Sequence, residues 1–505
     1  MSHLPQHSRL VLPLLAITAA FLVILPTILG VHVLEYDEAI FMDVARNIQR
    51  LGLPLRSITA DGVFFFDHTN LYVYLLSLYA HSSELGILAA RLVTVLFGLA
   101  SVWLTFEIGT RISNHMGGFV AALLVGISPF FALHSFFVRM EVPMVCAMLT
   151  GLLLLIENER RPRRGLTLAA GAMLSIAVLF KEVAILFTGW CAVYVLLVSR
   201  RDHRPLIPSL LAVTAPTVLG LLAWAAWAWK LSPVVFTGTM NRWLNSMGAV
   251  NLLDPRAGVT AGQWTQQLAY DLFGLALVAA LVGSLVATAV RRPARLTPVQ
   301  VLLWGYLLSG IGISFLVRLK ELRHLIGVLP IAALIIGTSI DWAELSERIR
   351  GSRGWLLKAT FAVLAIAFLL WASPLRFPVG PMSHVSSWLD TLYGWRVLEN
   401  DRFYNVLRLT GQYLEEHTAP DEVITVAHQA TVTAYYADRR HNMLYTVPRA
   451  AAESILQRTG VLVWDDENFL AMTPPEVAAL HKDVQARFKA EHVIQDGVRS
   501  VTVYR

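Results

Sequence analysis

Residues 87–110 read ILAARLVTVLFGLASVWLTFEIGT. The run is long enough to cross a bilayer and carries charge only at Arg91 and Glu107. Similar runs lie near 10–31, 117–135, 141–157, 166–180, 183–199, 207–229, 267–290, 299–317, 324–340 and 355–373, about eleven spans in all. Composition agrees. The 505 residues are 56% hydrophobic and 15% charged, too apolar for a soluble globular chain. The sequence therefore predicts an α-helical polytopic membrane protein. The run near 10–31 reads as a first span rather than a cleaved leader, because it is too long and no small-residue cleavage site follows. Leu71–Ala80 is too short to cross and reads as a helix along the membrane surface.

Charge placement gives the expected topology. Basic residues cluster at Arg160, Arg161, Arg163 and Arg164; at Arg200, Arg201 and Arg204; at Arg291, Arg292 and Arg295; and at Arg348, Arg350 and Arg353, with Arg111 opening a further loop. With about eleven spans, all of these and the N-terminus face the cytoplasm, as the positive-inside rule requires. The net charge of +6 thus reflects loop topology and gives no reason to expect a nucleic-acid partner. Cys146 and Cys191 lie in apolar runs and read as small buried hydrophobes, with no metal-type spacing. From about Pro374 onward the apolar runs shorten. Arg402–His417 reads as an amphipathic helix, Val423–Ala427 and Val461–Trp464 as strands, Glu476–Ala490 as a helix and Val498–Tyr504 as a terminal strand. The expected organisation is a transmembrane domain over 1–375, with interfacial helices in its first exterior loop. A small soluble α/β domain over 376–505 follows on the non-cytoplasmic side.

The same topology collects the remaining charges on the non-cytoplasmic face: Asp37, Glu38, Asp67, His68, Arg139, Glu141, Lys181, Glu182, Lys320 and Arg323. Asp37-Glu38 precedes a helical pattern. Either acid caps that helix, or one serves as a general base toward a hydroxyl nucleophile. Phe64-Phe65-Phe66 reads as an interfacial anchor, whereas Asp67 and His68 require polar partners if buried. Arg139 and Glu141 open a span, as an ion pair at a helix end or as walls of a polar cavity. Lys181-Glu182 interrupts an otherwise continuous apolar stretch, which marks a functional candidate in a membrane protein. Lys320, Arg323 and His324 are spaced for one helix face. Cations grouped with only Glu321 to balance them suit a phosphate, and headgroup snorkelling is the alternative.

Three segments in order, Glu35-Tyr36-Asp37-Glu38-Ala39, Phe66-Asp67-His68-Thr69-Asn70-Leu71 and Ala90-Arg91-Leu92, resemble the first third of C-type-fold integral-membrane glycosyltransferases. The resemblance is to the protein mannosyltransferase and aminoarabinose transferase superfamily (family 39 and its bacterial relatives). Pro129, Val138-Arg139-Met140-Glu141, Phe180-Lys181-Glu182 and Arg323-His324-Leu325-Ile326 with Pro330 extend it over most of 1–375. Thr69-Asn70 stand where the family has two prolines, and His324 where it has tyrosine.

The resemblance implies inverting transfer of a sugar from a polyprenyl-phosphate donor to an acceptor hydroxyl on the non-cytoplasmic face. The acceptor would be a glycan, a lipid or a protein, and the setting a bacterial inner membrane. It implies Asp37 as general base, Glu38 beside it, and Glu141 as a second acidic position. Lys320 and Arg323 would hold the donor phosphate. Asp67, His68, Arg139, Lys181 and His324 would line the substrate site. No cofactor is required. A divalent metal near Asp37 and Glu141 is compatible with the residues, but lysine and arginine can neutralise the phosphate themselves. The competing reading is a polytopic lipid or solute transporter, which would place polar residues and broken helices near mid-membrane.

Overall fold

The computed structural model describes residues 8–30, 33–58, 62–79, 84–246, 265, 268, 281, 284, 296–316, 322–339, 395–427, 430–444, 447–465, 472–496 and 499–505. The expected span at 355–373, most of that at 267–290, and Lys320 with Glu321 lie outside the described residues. The chain divides into two compact units, one of residues 1–28 with 92–393 and one of residues 29–91 with 394–505.

The first unit is helical. It holds α1 (Ser8–Gly30) and most of α4 (Glu84–Ile112), with α2 (Tyr36–Leu51) and α3 (Leu71–Ser77) intervening in the chain. Then follow α5 (His115–Gly126), α6 (Pro129–Phe136), α7 (Glu141–Arg160), α8 (Arg164–Phe180), α9 (Ile185–Arg201), α10 (Leu206–Leu231), α11 (Pro233–Ser246), α12 (Pro298–Leu316) and α13 (Val328–Ser339). Among the described residues five helices are long and apolar enough to cross a membrane, or six if the bent pair α5–α6 is one span. The bend has a local cause. Ser128 caps α6 through its side chain and Pro129 occupies the first turn, where a missing N–H costs nothing. Small residues let the helices close up. A Cβ on Gly337 would lie 2.4 Å from the Gly117 carbonyl oxygen, so α5 and α13 meet backbone to backbone. Among the described spans, α7 is the most enclosed, 67% buried over its apolar window, and α10 the least, at 11%.

The second unit is mixed. Helix α2 leads into a hairpin of β1 (Leu55–Arg56) and β2 (Val63–Phe64), then α3. The C-terminal part contains α14 (Trp395–His417), β3 (Ile424–Val426), α15 (Ala430–Ala437), β4 (His441–Met443), α16 (Arg449–Leu456), β5 (Val461–Trp464), α17 (Pro474–Arg487), β6 (Ala490–Asp496) and β7 (Arg499–Tyr504). The sheet order is β4-β3-β5-β7-β6, with β4, β3 and β5 parallel and β7 and β6 antiparallel. The parallel strands are short and wholly apolar at β5, as buried strands are. Thr473 and Glu476 form a reciprocal capping box that starts α17, and the helix stops at Arg487 because β6 begins at Ala490.

Residues 29–91 pack with the C-terminal sheet: His441 N donates to the Ser57 carbonyl at 2.9 Å beside a parallel bridge between Ile58 and His441. The charged residues buried along α2 find partners there, which a boundary drawn on hydropathy does not register.

Candidate active site

In the helical unit the chain leaves its helix at Lys181, whose backbone is extended (φ −154°, ψ 124°), before the 3-10 turn Glu182–Ala184. The break turns the lysine inward, where it is 2% exposed. Its Nζ donates to Glu141 Oε1 at 2.6 Å. Glu141, also 2% exposed, opens α7, where the helix dipole favours an acid. Arg323 Nε lies 3.8 Å from the same oxygen. Arg139 acts on this carboxylate too, and its guanidinium lies over the Phe137 ring, 5.4 Å from the centroid. Residues far apart in sequence thus form one buried cluster of three cations and one carboxylate. His134, buried nearby, is held through Nδ1 at 2.8 Å from the Phe130 carbonyl.

Arg323 and His324 belong to a 3-10 turn, Leu322–Leu325, and α13 starts only at Val328. Arg323 and His324 thus sit on a 3-10 turn rather than on a face of α13, and Lys320 lies outside the described residues. Arg323 is partly exposed, at 26% of its side chain, so one side of the cluster faces outward.

In the second unit Asp37 and Glu38, adjacent in sequence, have different surroundings. Glu38 is fully buried. Arg91 grips its carboxylate with two hydrogen bonds, 3.0 Å from Nε and 2.7 Å from Nη2, and also reaches the Val33 carbonyl at 2.8 Å. The Glu35 backbone N–H donates to Glu38 Oε2 at 3.0 Å, half of a capping box. This carboxylate is committed to holding the first turn of α2. Asp37 lies in that same turn and is only half-buried. Tyr404 stands beside it: burial first, then the charges of Glu35 and Asp37, push the Tyr404 hydroxyl above the ordinary phenol range. Of the two carboxylates, Asp37 is therefore the more accessible.

Asp67 and His68 follow the hairpin. Asp67 is half-exposed, with Arg56 Nη1 at 3.8 Å, and the His68 ring approaches Phe65 edge-on at 6.3 Å. Phe64 stacks on Phe66, 5.5 Å between centroids. Asn70, where the family has proline, donates to the Phe65 carbonyl at 2.9 Å and so replaces ring rigidity with a hydrogen bond.

Among the described residues no group of three or more His, Cys, Asp or Glu gathers, and three cations act on Glu141. Arg91, the buried partner of Glu38, is the charged residue that charge counting passed over. A lone arginine inside an apolar run was the signal available for it.

Residues 67–229 match the sequence model of the family described as dolichyl-phosphate-mannose-protein mannosyltransferase. Among solved structures, ArnT from Cupriavidus metallidurans bound to undecaprenyl phosphate superposes with a TM-score of 0.64 at 14% identity, covering 97% of each chain. An Archaeoglobus fulgidus oligosaccharyltransferase tethered to an acceptor peptide gives 0.59 at 10% identity, over 92% of this chain and 70% of that one. The same organism's AglB with an inhibitory peptide and dolichol phosphate gives 0.57 at 11% identity, over the same shares. A search of curated proteins finds no match. The chain has the polytopic C-type fold of these membrane glycosyltransferases, including the small C-terminal sheet.

Proposed function

We propose that this protein is an inverting glycosyltransferase. It moves a sugar from a polyprenyl-phosphate donor to an acceptor hydroxyl on the non-cytoplasmic face of a bacterial inner membrane, with its N-terminus in the cytoplasm. The observation that carries the reading is the buried cluster of Arg139, Lys181 and Arg323 around Glu141, at the ends of apolar helices. An arginine and lysine grouping of this kind suits a lipid-borne phosphate. Arg323 and Lys181, with Lys320, hold the donor phosphate and stabilise the charge that grows on it as the sugar–phosphate bond breaks. Glu141 keeps these cations together and in place. Asp37 takes the proton of the acceptor hydroxyl. The acceptor oxygen attacks the anomeric carbon opposite the leaving phosphate, the sugar–phosphate bond breaks, and configuration inverts. Asp67, His68 and His324 are proposed to contact the sugar or acceptor.

The fold shared with ArnT, whose structure holds undecaprenyl phosphate, supports the donor class. The test is mass spectrometry of lipid-linked sugars and envelope glycans in cells with and without the gene. A donor that accumulates and a glycan that disappears on deletion identify both substrates. Unchanged glycans with altered lipid distribution across the membrane would replace the transferase by a transporter.

A further inference from the structure

Helix α2 is enclosed almost throughout, and Glu38, Asp43, Arg46 and Asn47 are among its buried residues. Buried charges persist only when paired. Part of the pairing is local: Asp43 accepts from Arg46 Nη2 at 2.8 Å, from Ser57 Oγ at 2.7 Å and from Ser57 N at 2.8 Å. The rest comes from a few consecutive residues of the C-terminal part. Arg46 Nη1 donates to the Tyr435 carbonyl at 3.1 Å and lies 2.8 Å from Asp438 Oδ1. Arg50 grips Asp438 with two hydrogen bonds of 2.9 Å. At the opposite end of the helix, Leu34 N donates to the Tyr436 hydroxyl at 3.1 Å, one residue before the N-cap Glu35. The Tyr36 ring packs on the core formed by Ala427, Leu444, Trp464 and Tyr504. Asp438 has φ 49°, a left-handed conformation that a non-glycine residue keeps only where its surroundings impose it.

We infer that the C-terminal domain is a working part of the transferase: through Tyr436 and Asp438 it fixes both ends of the helix that carries Asp37. This rests on the proposed role of Asp37 as base. Tyr436 and Asp438 are positioning residues and touch no substrate. A general base works only within hydrogen-bond reach of its proton, and a displacement of about 1 Å costs on the order of 100-fold in rate. Tyr436 bears on the first turn directly, because Leu34 lies three residues before Asp37. Asp438 bears on it through the axis of α2, since Arg46 and Arg50 set where the other end of the helix sits.

The test uses the full-length protein in detergent, with the donor and acceptor identified as above and undecaprenyl phosphate as the binding probe. Turnover is expressed per undecaprenyl-phosphate site, so that misfolded protein does not enter the rate. Tyr436→Phe keeps the ring and removes only the hydroxyl. Asp438→Asn removes the charge, and Asp438→Glu retains it. Tyr436→Phe and Asp438→Asn are expected to lower kcat about 5- to 50-fold while undecaprenyl phosphate affinity and donor KM stay within about two-fold, and Asp438→Glu to recover most of the loss. Wild-type kcat in both variants overturns the inference. So does a parallel fall of kcat and affinity, which would mark a general structural role. Asp37→Asn keeps the two readings separate. An active Asp37→Asn removes the base, whereas an inactive one beside fully active Tyr436→Phe and Asp438→Asn leaves the base and removes the positioning role.

Discussion

Replacing Glu141 with glutamine removes a carboxylate that faces Lys181, Arg139 and Arg323. Both members of the Glu141–Lys181 pair are 2% exposed, so water does not screen the change. Breaking a buried pair by removing one partner costs about 3–5 kcal/mol. The two single changes are unequal. Glu141→Gln leaves three cations together and belongs at the upper end of that range. Lys181→Met leaves Glu141 with Arg323 at 3.8 Å and with Arg139, and belongs at the lower end. The double change Glu141→Leu with Lys181→Met replaces the pair by apolar groups and is expected to return within about 2 kcal/mol of the parent, because well-packed apolar residues often match a buried ion pair. Its transfer activity is expected to stay lost, since Lys181 is a proposed phosphate ligand. Unfolding of the full-length protein in detergent, followed by tryptophan fluorescence, measures the stabilities. Undecaprenyl phosphate titration measures the site. A Glu141→Gln cost below about 1 kcal/mol would refute the view that this carboxylate holds the cations. Unaltered lipid-phosphate affinity in Lys181→Met would remove Lys181 from the phosphate site.

Further expectations follow from the same geometry. Arg91→Lys loses the two-point grip on Glu38 and should cost about 2–3 kcal/mol, with kcat falling further than donor KM rises; unchanged stability and rate would show that Glu38 needs no such partner. Arg323→Ala, at a partly exposed side chain, should leave folding nearly intact but weaken undecaprenyl phosphate binding about 10- to 100-fold, measured by titration, in line with a charged hydrogen bond worth about 1.5–3 kcal/mol. His441 is fully buried, and burial lowers its pKa from 6.5 to about 4. Its folded form therefore stays neutral while the unfolded chain takes up a proton below pH 6.5, so stability is lost as pH falls from 6.5 toward 4, by about 3 kcal/mol at most. His441→Leu should flatten that part of the stability profile, and an equal acid loss in the variant would assign it elsewhere.

The membrane class was legible because apolar runs of sufficient length state their own role, and the described helices α4, α7, α9, α10 and α12 fall on runs read from hydropathy. Asp37-Glu38 was legible as a pair at a helix start. Which of the two is occupied was not, because Arg91 lies 53 positions from Glu38. Lys181 announced itself by interrupting an apolar stretch, but its partner Glu141 is 40 residues away, and only the packing of α7 against the end of α8 unites them. In the C-terminal part, β3, β5 and β7 showed in apolar or alternating residues. Strand β4 is three polar-leaning residues, His441–Met443, and β6 is exposed along most of its length, so neither leaves a periodic trace. The union of residues 29–91 with the C-terminal sheet depends on ion pairs such as Arg46–Asp438, which hydropathy does not record.

The proposed chemistry needs a proton-accepting carboxylate acting with a cationic grip on a lipid phosphate, and the most direct test is the transfer rate of Asp37→Asn at saturating donor. A general base contributes about 10²- to 10⁴-fold, so the rate should fall by at least about 100-fold while undecaprenyl phosphate still binds with parental affinity. A parental rate from the asparagine variant would contradict the account.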